Sequence, residues 1–357
     1  ISEEPPSKSR IKLRLSVKPH SWNSTGLWLS PGVVATVETD IPATIQVGSH
    51  SVCLLVKQGP WKRWPSVVSR FFVVPNQETE IATPFGGIVY VIHDKLKPIH
   101  LTFKNVARYS FYISHKPNLW DQTKNYKAPW SEIQMKTAIF TLPTEYLKKI
   151  DDPGAFSNIY DQLIAETYNF IGIKVPEGKR VVFDVDFPEN SQISTITQET
   201  FVFSVDYLKD LINYRQVNVA IVTFLTRLAL SNIDGSFYDS TIESTLSTLA
   251  ACYAVKKVWP DESPLLAIPG KISNLFYDMF VLCCETGLTS LGAPIQAIIL
   301  NKSITNAHDA WVSFVRRLEK LFEKSLPNLM DRFRQTGKLY PNSAESLDAY
   351  QIEECDL

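Results

Sequence analysis

The sequence predicts an α+β fold, with a β-sandwich in its first third followed by a mainly helical part. Three observations carry this. Six of the eight tryptophans (Trp22, Trp28, Trp61, Trp64, Trp120 and Trp130) fall in the first 130 residues. The same stretch holds short apolar runs broken by Pro, Gly and Asn, the pattern of an all-β domain. Later segments are longer, and their apolar residues recur at helical spacing. With 357 residues, 45% of them hydrophobic and 20% charged, the chain can bury a large core and is long enough for two domains.

Strands are expected at 11–17 (IKLRLSV), 33–38, 43–48, 70–74, 88–92 (IVYVI) and 99–104. Two more are expected at 135–141 and 180–186. Asp152 is placed to cap a helix that opens on Pro153 and runs to about Phe170. Residues 205–215 are amphipathic through Leu208, Leu211 and Ile212. Residues 218–230 (NVAIVTFLTRLAL) are apolar nearly all round, which marks a central, buried helix. Further helices are expected at 240–257, 272–286, 289–300 and 308–324. The boundaries that follow are 1–19 as linker or tail, 20–115 as the sandwich, 116–345 as the second domain and 346–357 as a C-terminal tail.

Net charge is −1, so no long-range attraction draws the chain to nucleic acid, and no nucleic-acid partner is expected. The basic cluster Lys8, Arg10, Lys12, Arg14 and Lys18 is short and reads as solvated charge. No run approaches the roughly 18 apolar residues of a membrane span, and no transmembrane segment is expected. The opening ISEEPPSKSR reads as a linker, as in a mature product or a domain cut from a longer protein. Five cysteines (Cys53, Cys252, Cys283, Cys284, Cys355) make an odd, poorly spaced set, which favours reduced thiols and an intracellular setting. Asn23 and Asn301 head N-x-S/T patterns, which occur often by chance.

Five segments resemble one family. They are STGLWLSPG at 24–32, IQVGSH at 45–50, RWPSV at 63–67, TPFGGIVYV at 83–91 and APWSE at 128–132. Together they are similar to the enhancin-like zinc metallopeptidases, a family that includes mucin-directed glycopeptidases and the TRP-channel-associated factors. The resemblance implies that the second domain has a gluzincin-like fold, with an HxGYPI segment and then an HExGHxxQ zinc helix. At the first place this chain has QISTITQ (192–198), and at the second Thr223, Phe224 and Arg227. No histidine occurs between His115 and His308. Two imidazoles one turn apart are what let a helix grip zinc from one face, and arginine cannot lose its proton to bind a metal. Glu243 stands where the resemblance would put the third zinc ligand. It also completes a capping box with Ser240, and a pairing of Arg227 with Glu243 across the former metal site is a third reading.

The remaining candidates have plainer readings. His20, His50, His93, His100 and His115 lie in the β-rich part without helical i,i+4 spacing and read as strand or loop residues, while His308 precedes a helix. Cys283 and Cys284 sit in FVLCC and read as buried thiols. Gly86 and Gly87 read as a tight turn, not a phosphate loop. Trp61, Trp64 and Trp120 sit in polar loops where an aromatic ring can stack on a sugar or anchor a partner; Trp64 alternatively takes a core position that the family fills with phenylalanine. The reading that results is a pseudopeptidase: no catalytic residue, no metal, no cofactor, and a role in protein–protein interaction or scaffolding within a larger protein. One alternative is a glycan-binding module acting through the sandwich loops. Another is an active zinc glycopeptidase whose ligands are carboxylates such as Asp234, Asp239 and Glu243.

Overall fold

Residues 88–92 are apolar without alternation, and the fold explains why: their strand is covered on both faces. The structure, a computed structural model, describes residues 6, 10–55, 57–64, 67–186, 200–232 and 240–268. The described residues group into two compact units, one formed by residues up to 158 with 177–212, the other by 159–176 with residues from 213 onward.

The first unit holds three sheets. One is antiparallel, in the order β1-β8-β3-β6, from β1 (Ile11–Ser16), β3 (Ala35–Thr39), β6 (Thr79–Ile81) and β8 (Pro98–Lys104). A second, in the order β5-β4-β7-β2-β9, comprises β2 (Asn23–Leu29), β4 (Ala43–Val47), β5 (Ser69–Val73), β7 (Gly87–Ile92) and β9 (Ala107–Arg108). Alternate residues of these two sheets share one apolar core, among them Val37, Ile45, Val89, Leu101 and Phe103. The opposite face of β7 and β2 presents Trp28, Ile88 and Tyr90 to a second core that also contains Tyr109 and Val182.

Val182 belongs to the third sheet, β10-β11-β12-β13-β14. Its strands are β10 (Phe111–Ile113), β11 (Trp130–Gln134), β12 (Ala138–Pro143), β13 (Lys179–Asp184) and β14 (Thr200–Ser204). Only β11 and β12 run antiparallel. The parallel step from β12 to β13 needs a crossover, which the helices α2 (Thr144–Leu147) and α3 (Pro153–Ile171) supply. Asp152 caps α3 as expected: its Oδ1 accepts from the amides of Gly154 and Ala155 at 2.9 and 3.0 Å.

The chain is richer in sheet beyond residue 110 than its sequence suggests. β11 carries the fully buried Glu132, whose charge interrupts the apolar pattern by which strands are recognised. β6, β9 and β10 are too short to show any period. β2 breaks its alternation at a bulge, where the pairing with β7 shifts between Ser24 and Trp28 and Gly26 takes φ +75°. Thr25 holds that bulge by donating its hydroxyl to the Val89 carbonyl at 2.6 Å. Residues 205–211 are not one amphipathic helix; they form a 3₁₀ turn (Val205–Tyr207) and a single α-turn, α4 (Leu208–Leu211), after the one-turn α1 (Trp120–Thr123) seen earlier in the chain.

In the second unit, α5 (Val219–Leu230) packs along α6 (Ser240–Val258). Asn218 caps α5, its Oδ1 accepting from Ile221 N at 3.0 Å. Ala250, Ala251 and Ala254 are buried on α6. No helix among the described residues is long and apolar enough to cross a membrane. The expected helices at 272–286, 289–300 and 308–324 lie outside the described residues.

Candidate functional site

The helix α5 places Thr223 and Phe224 in the core. Thr223 spends its hydroxyl on the Val219 carbonyl at 2.7 Å. Phe224 is fully buried, with its ring edge-on to Tyr160 at 6.1 Å between centroids. Arg227 follows one turn on, half-buried. A zinc ion finds no ligand among these three: a hydroxyl already bonded, an apolar ring and a guanidinium that stays protonated. The Glu243 side chain, Asp234, Asp239, residues 192–198, Cys283, Cys284 and His308 lie outside the described residues, and with them the proposed Arg227–Glu243 pair.

A cavity of about 230 Å³ lies within the first unit. All five segments that carry the family resemblance contribute to its wall: Trp28 from the first, Gly48, Ser49 and His50 from the second, Arg63 and Val67 from the third, Phe85 to Ile88 from the fourth and Trp130 from the fifth. The glycines are there for close packing. A Cβ on Gly48 would lie 2.4 Å from the Val67 carbonyl oxygen, and one on Gly87 2.6 Å from Gly48 N. His50, a residue that reads from sequence as an ordinary loop histidine, is 7% exposed and stands edge-on to Trp130 with centroids 4.2 Å apart. Its Nδ1 lies 3.4 Å from Ser49 Oγ, and its Nε2 is buried without a hydrogen-bond partner. Burial pushes the imidazole down to about 4, so it is neutral at pH 7.

Arg63 fixes one side of this cavity. It donates Nε to Asp184 Oδ1 and Nη2 to Asp184 Oδ2, both at 2.7 Å, and Nη2 also reaches the Val52 carbonyl at 2.8 Å. Asp184 ends β13 and is 1% exposed. Two residues on, Asp186 pairs with Lys57 and accepts from the Lys62 amide at 2.7 Å. The loop that carries Trp61 and Trp64 is therefore held at both ends by carboxylates of one strand end.

A second buried network lies under the same strands. Glu132 Oε2 accepts from the Tyr109 hydroxyl at 2.7 Å, and Oε1 from Tyr90 at 3.1 Å and Thr141 at 3.2 Å. Arg180 pairs with Glu132, donates to the Trp22 carbonyl and Ser24 Oγ at 2.9 Å each, and lies 4.6 Å from the Tyr90 ring centre. Every polar atom named has a partner, which marks this network as scaffold. Sequence reading missed Arg63, Asp184, Glu132 and Arg180. For Glu132, Arg180 and Asp184 the available signal was a charged residue in an otherwise apolar strand; Arg63, in a loop, gave none.

The loop tryptophans divide. Trp64 is 65% exposed and does not fill a core position; its ring lies 5.9 Å from Phe85 on the cavity rim. Trp61 is 39% exposed, with Nε1 tied to the Lys57 carbonyl at 2.8 Å. Trp120 opens the short helix α1 and packs edge-on to Tyr112 at 6.4 Å. Asn23 uses its amide nitrogen on the carbonyls of Lys18, Ser21 and Val91, so it is a structural residue of the turn.

Comparison with known proteins agrees with this organisation. The chain is 30% identical over 179 residues to a TRPM8 channel-associated factor homolog of Xenopus laevis, covering 46% of this chain and 20% of that protein. It thus spans about one fifth of the length of the channel-associated factors it matches. Its fold is similar to that of the catalytic module of the metalloprotease ZmpA from Clostridium perfringens, with TM-score 0.60 and 10% identity over 93% of this chain and 79% of that one. IMPa from Pseudomonas aeruginosa, solved in complex with an O-glycopeptide, is similar at TM-score 0.56 and 11% identity, covering 92% of this chain and 45% of that one. Residues 4–99 match the N-terminal domain of M60-like peptidases, and residues 111–218 match peptidase M60, enhancin and enhancin-like, a match that ends where α5 begins. Through these two segments the chain belongs to the M60, enhancin-like peptidase family.

Proposed function

We propose that this chain is a non-catalytic pseudopeptidase module that acts by binding protein. The observation that carries the reading is the make-up of α5. Where the family resemblance calls for HExxH, the chain has Thr223, Phe224 and Arg227, and Phe224 is committed to packing on Tyr160. In this reading residues 20–115 are a β-sandwich and residues 116–345 a degenerate gluzincin-like domain. The similarity to channel-associated factors supports a role in protein interaction. The exposed thiol of Cys53 and the buried, unpaired Cys252 support an intracellular setting. Elemental analysis of the purified chain tests the proposal: well under one zinc per chain is expected, and stoichiometric zinc overturns it.

A second reading, glycan binding, draws on the exposed rings of Trp61 and Trp64 and on the glycopeptide-bound relative of similar fold. Glycan-array binding that is lost on Trp61→Ala would favour it.

A further inference from the structure

The turn between β7 and β8 carries an apolar side chain into solvent between two cations. Its sequence is Asp94-Lys95-Leu96-Lys97. Leu96 is 77% exposed, more than any other large apolar residue described. The base of the turn is fixed. Val91 and Ile99, on either side of it, are buried in the sandwich core. The His20 amide donates to the His93 carbonyl at 3.0 Å, and the Val17 amide to the Lys97 carbonyl at 3.5 Å. Val17 directly follows β1, so the basic N-terminal strand meets the turn at this end of its sheet. Lys12 and Arg14 lie on the exposed face of β1, and Arg14 stands opposite His100, three residues from Lys97. At about 3.3 Å per residue, Arg14 lies on the order of 10 Å from Lys97. Among the described residues no ion pair engages Lys12, Arg14, Lys95 or Lys97. Lys18 donates its ammonium to the Glu177 carbonyl at 3.0 Å. The carboxylates set among these cations are Glu177, Asp94, which faces His20 at 3.6 Å, and Asp40, which faces His100 at 2.7 Å. Positive charge is in excess.

We propose that this turn docks the chain peripherally on an anionic lipid bilayer, with Leu96 entering the headgroup boundary and Lys95, Lys97, Lys18 and Arg14 facing the lipid charges. Shape selects the bilayer. A single leucine on a convex turn needs a matching pocket in a protein partner, whereas a lipid surface receives it anywhere. A lysine on each side suits the same boundary. Its methylene stem lies along apolar surface while its ammonium stays at headgroup depth. Attachment at such a surface grows with the apolar area buried and with attraction to anionic lipid, and here one turn supplies both. Its anchored base leaves little chain to order on docking. The basic cluster reads from sequence as solvated charge because residues 95–97, which complete the surface, are brought beside it only by the β1–β8 pairing. The proposal stands apart from the pseudopeptidase reading and involves no residue of α5.

The test is flotation of the whole chain, titrated with vesicles of phosphatidylcholine alone or of phosphatidylcholine mixed with phosphatidylserine. We expect the mixed vesicles to bind about tenfold tighter, and the binding to weaken as salt rises. Leu96→Ser should weaken it about fivefold, and Lys95→Gln combined with Lys97→Gln about tenfold. Thermal melts of these variants should match the unaltered chain, because all three side chains are exposed. The comparison of the two vesicles needs no variant. Equal binding to both, no flotation with the mixed vesicles, or a Leu96→Ser chain that floats like the unaltered one overturns the proposal. Poly-glutamate that binds as tightly as the mixed vesicles, with no loss on Leu96→Ser, would assign the surface to an acidic polypeptide and overturn it as well.

Discussion

Arg63 grips Asp184 through two parallel N–H···O bonds of 2.7 Å each, and so ties the tryptophan-bearing loop to the end of β13. Both side chains are nearly inaccessible, at 7% and 0% exposure. Removing one member of such a buried pair strands the other charge and costs about 3–5 kcal/mol. We expect Arg63→Ala to lose that much in urea denaturation. Arg63→Lys should recover only part of it, since a lysine ammonium cannot span both carboxylate oxygens.

Glu132 makes acid stability legible. Burial pushes its carboxyl up, but Arg180 and the hydroxyls of Ser24 and Tyr109 outweigh this and hold it below the usual 4.5. A carboxylate with a depressed folded value contributes stability that is fully present above its unfolded value and is lost as pH falls through the folded one. This loss therefore belongs below about pH 4.5. Glu132→Gln should flatten stability in that range while lowering it at pH 7 by about 3–5 kcal/mol, as measured by denaturant melts at a series of pH values.

His50 acts in a different window. Its folded value is near 4 against an ordinary 6.5, so between those limits the unfolded chain binds the extra proton. Stability from this residue is complete above pH 6.5 and declines as pH falls toward 4, by on the order of 3 kcal/mol. We expect His50→Phe to remove the slope between pH 6.5 and 4 and leave the one below it. An unchanged slope in that variant would assign the titration to another group.

In the proposed reading, Phe224 takes the place of the zinc motif's glutamate. Its burial against Tyr160 commits the position to packing. We expect Phe224→Ala to cost about 3–5 kcal/mol of thermal or chemical stability. Phe224→Glu should cost more, because it puts a charge where the structure holds a fully buried ring.

The parts of the fold legible in the sequence were those governed by local rules. The Asp152 cap, the Val219–Leu230 helix and the strand of residues 88–92 all follow from period and capping chemistry. The third sheet was mostly hidden. Its strand β11 carries Glu132, which is tolerable in a core only because Arg180, 48 residues away, arrives to meet it. The cavity was hidden for the same reason. Its wall joins five separate segments, and nothing local to His50 reveals that Trp130 will cover it. Trp64 shows the reverse error, a ring suited to a core that the loop instead presents to solvent.

The central claim is that this member of a peptidase family binds without cutting. The direct measurement is incubation of the purified chain with a mucin-type O-glycopeptide, with zinc added and with a chelator added, followed by mass spectrometry of the peptide. We expect the peptide to remain whole in both reactions. Cleavage that appears with zinc and disappears with the chelator would contradict the claim.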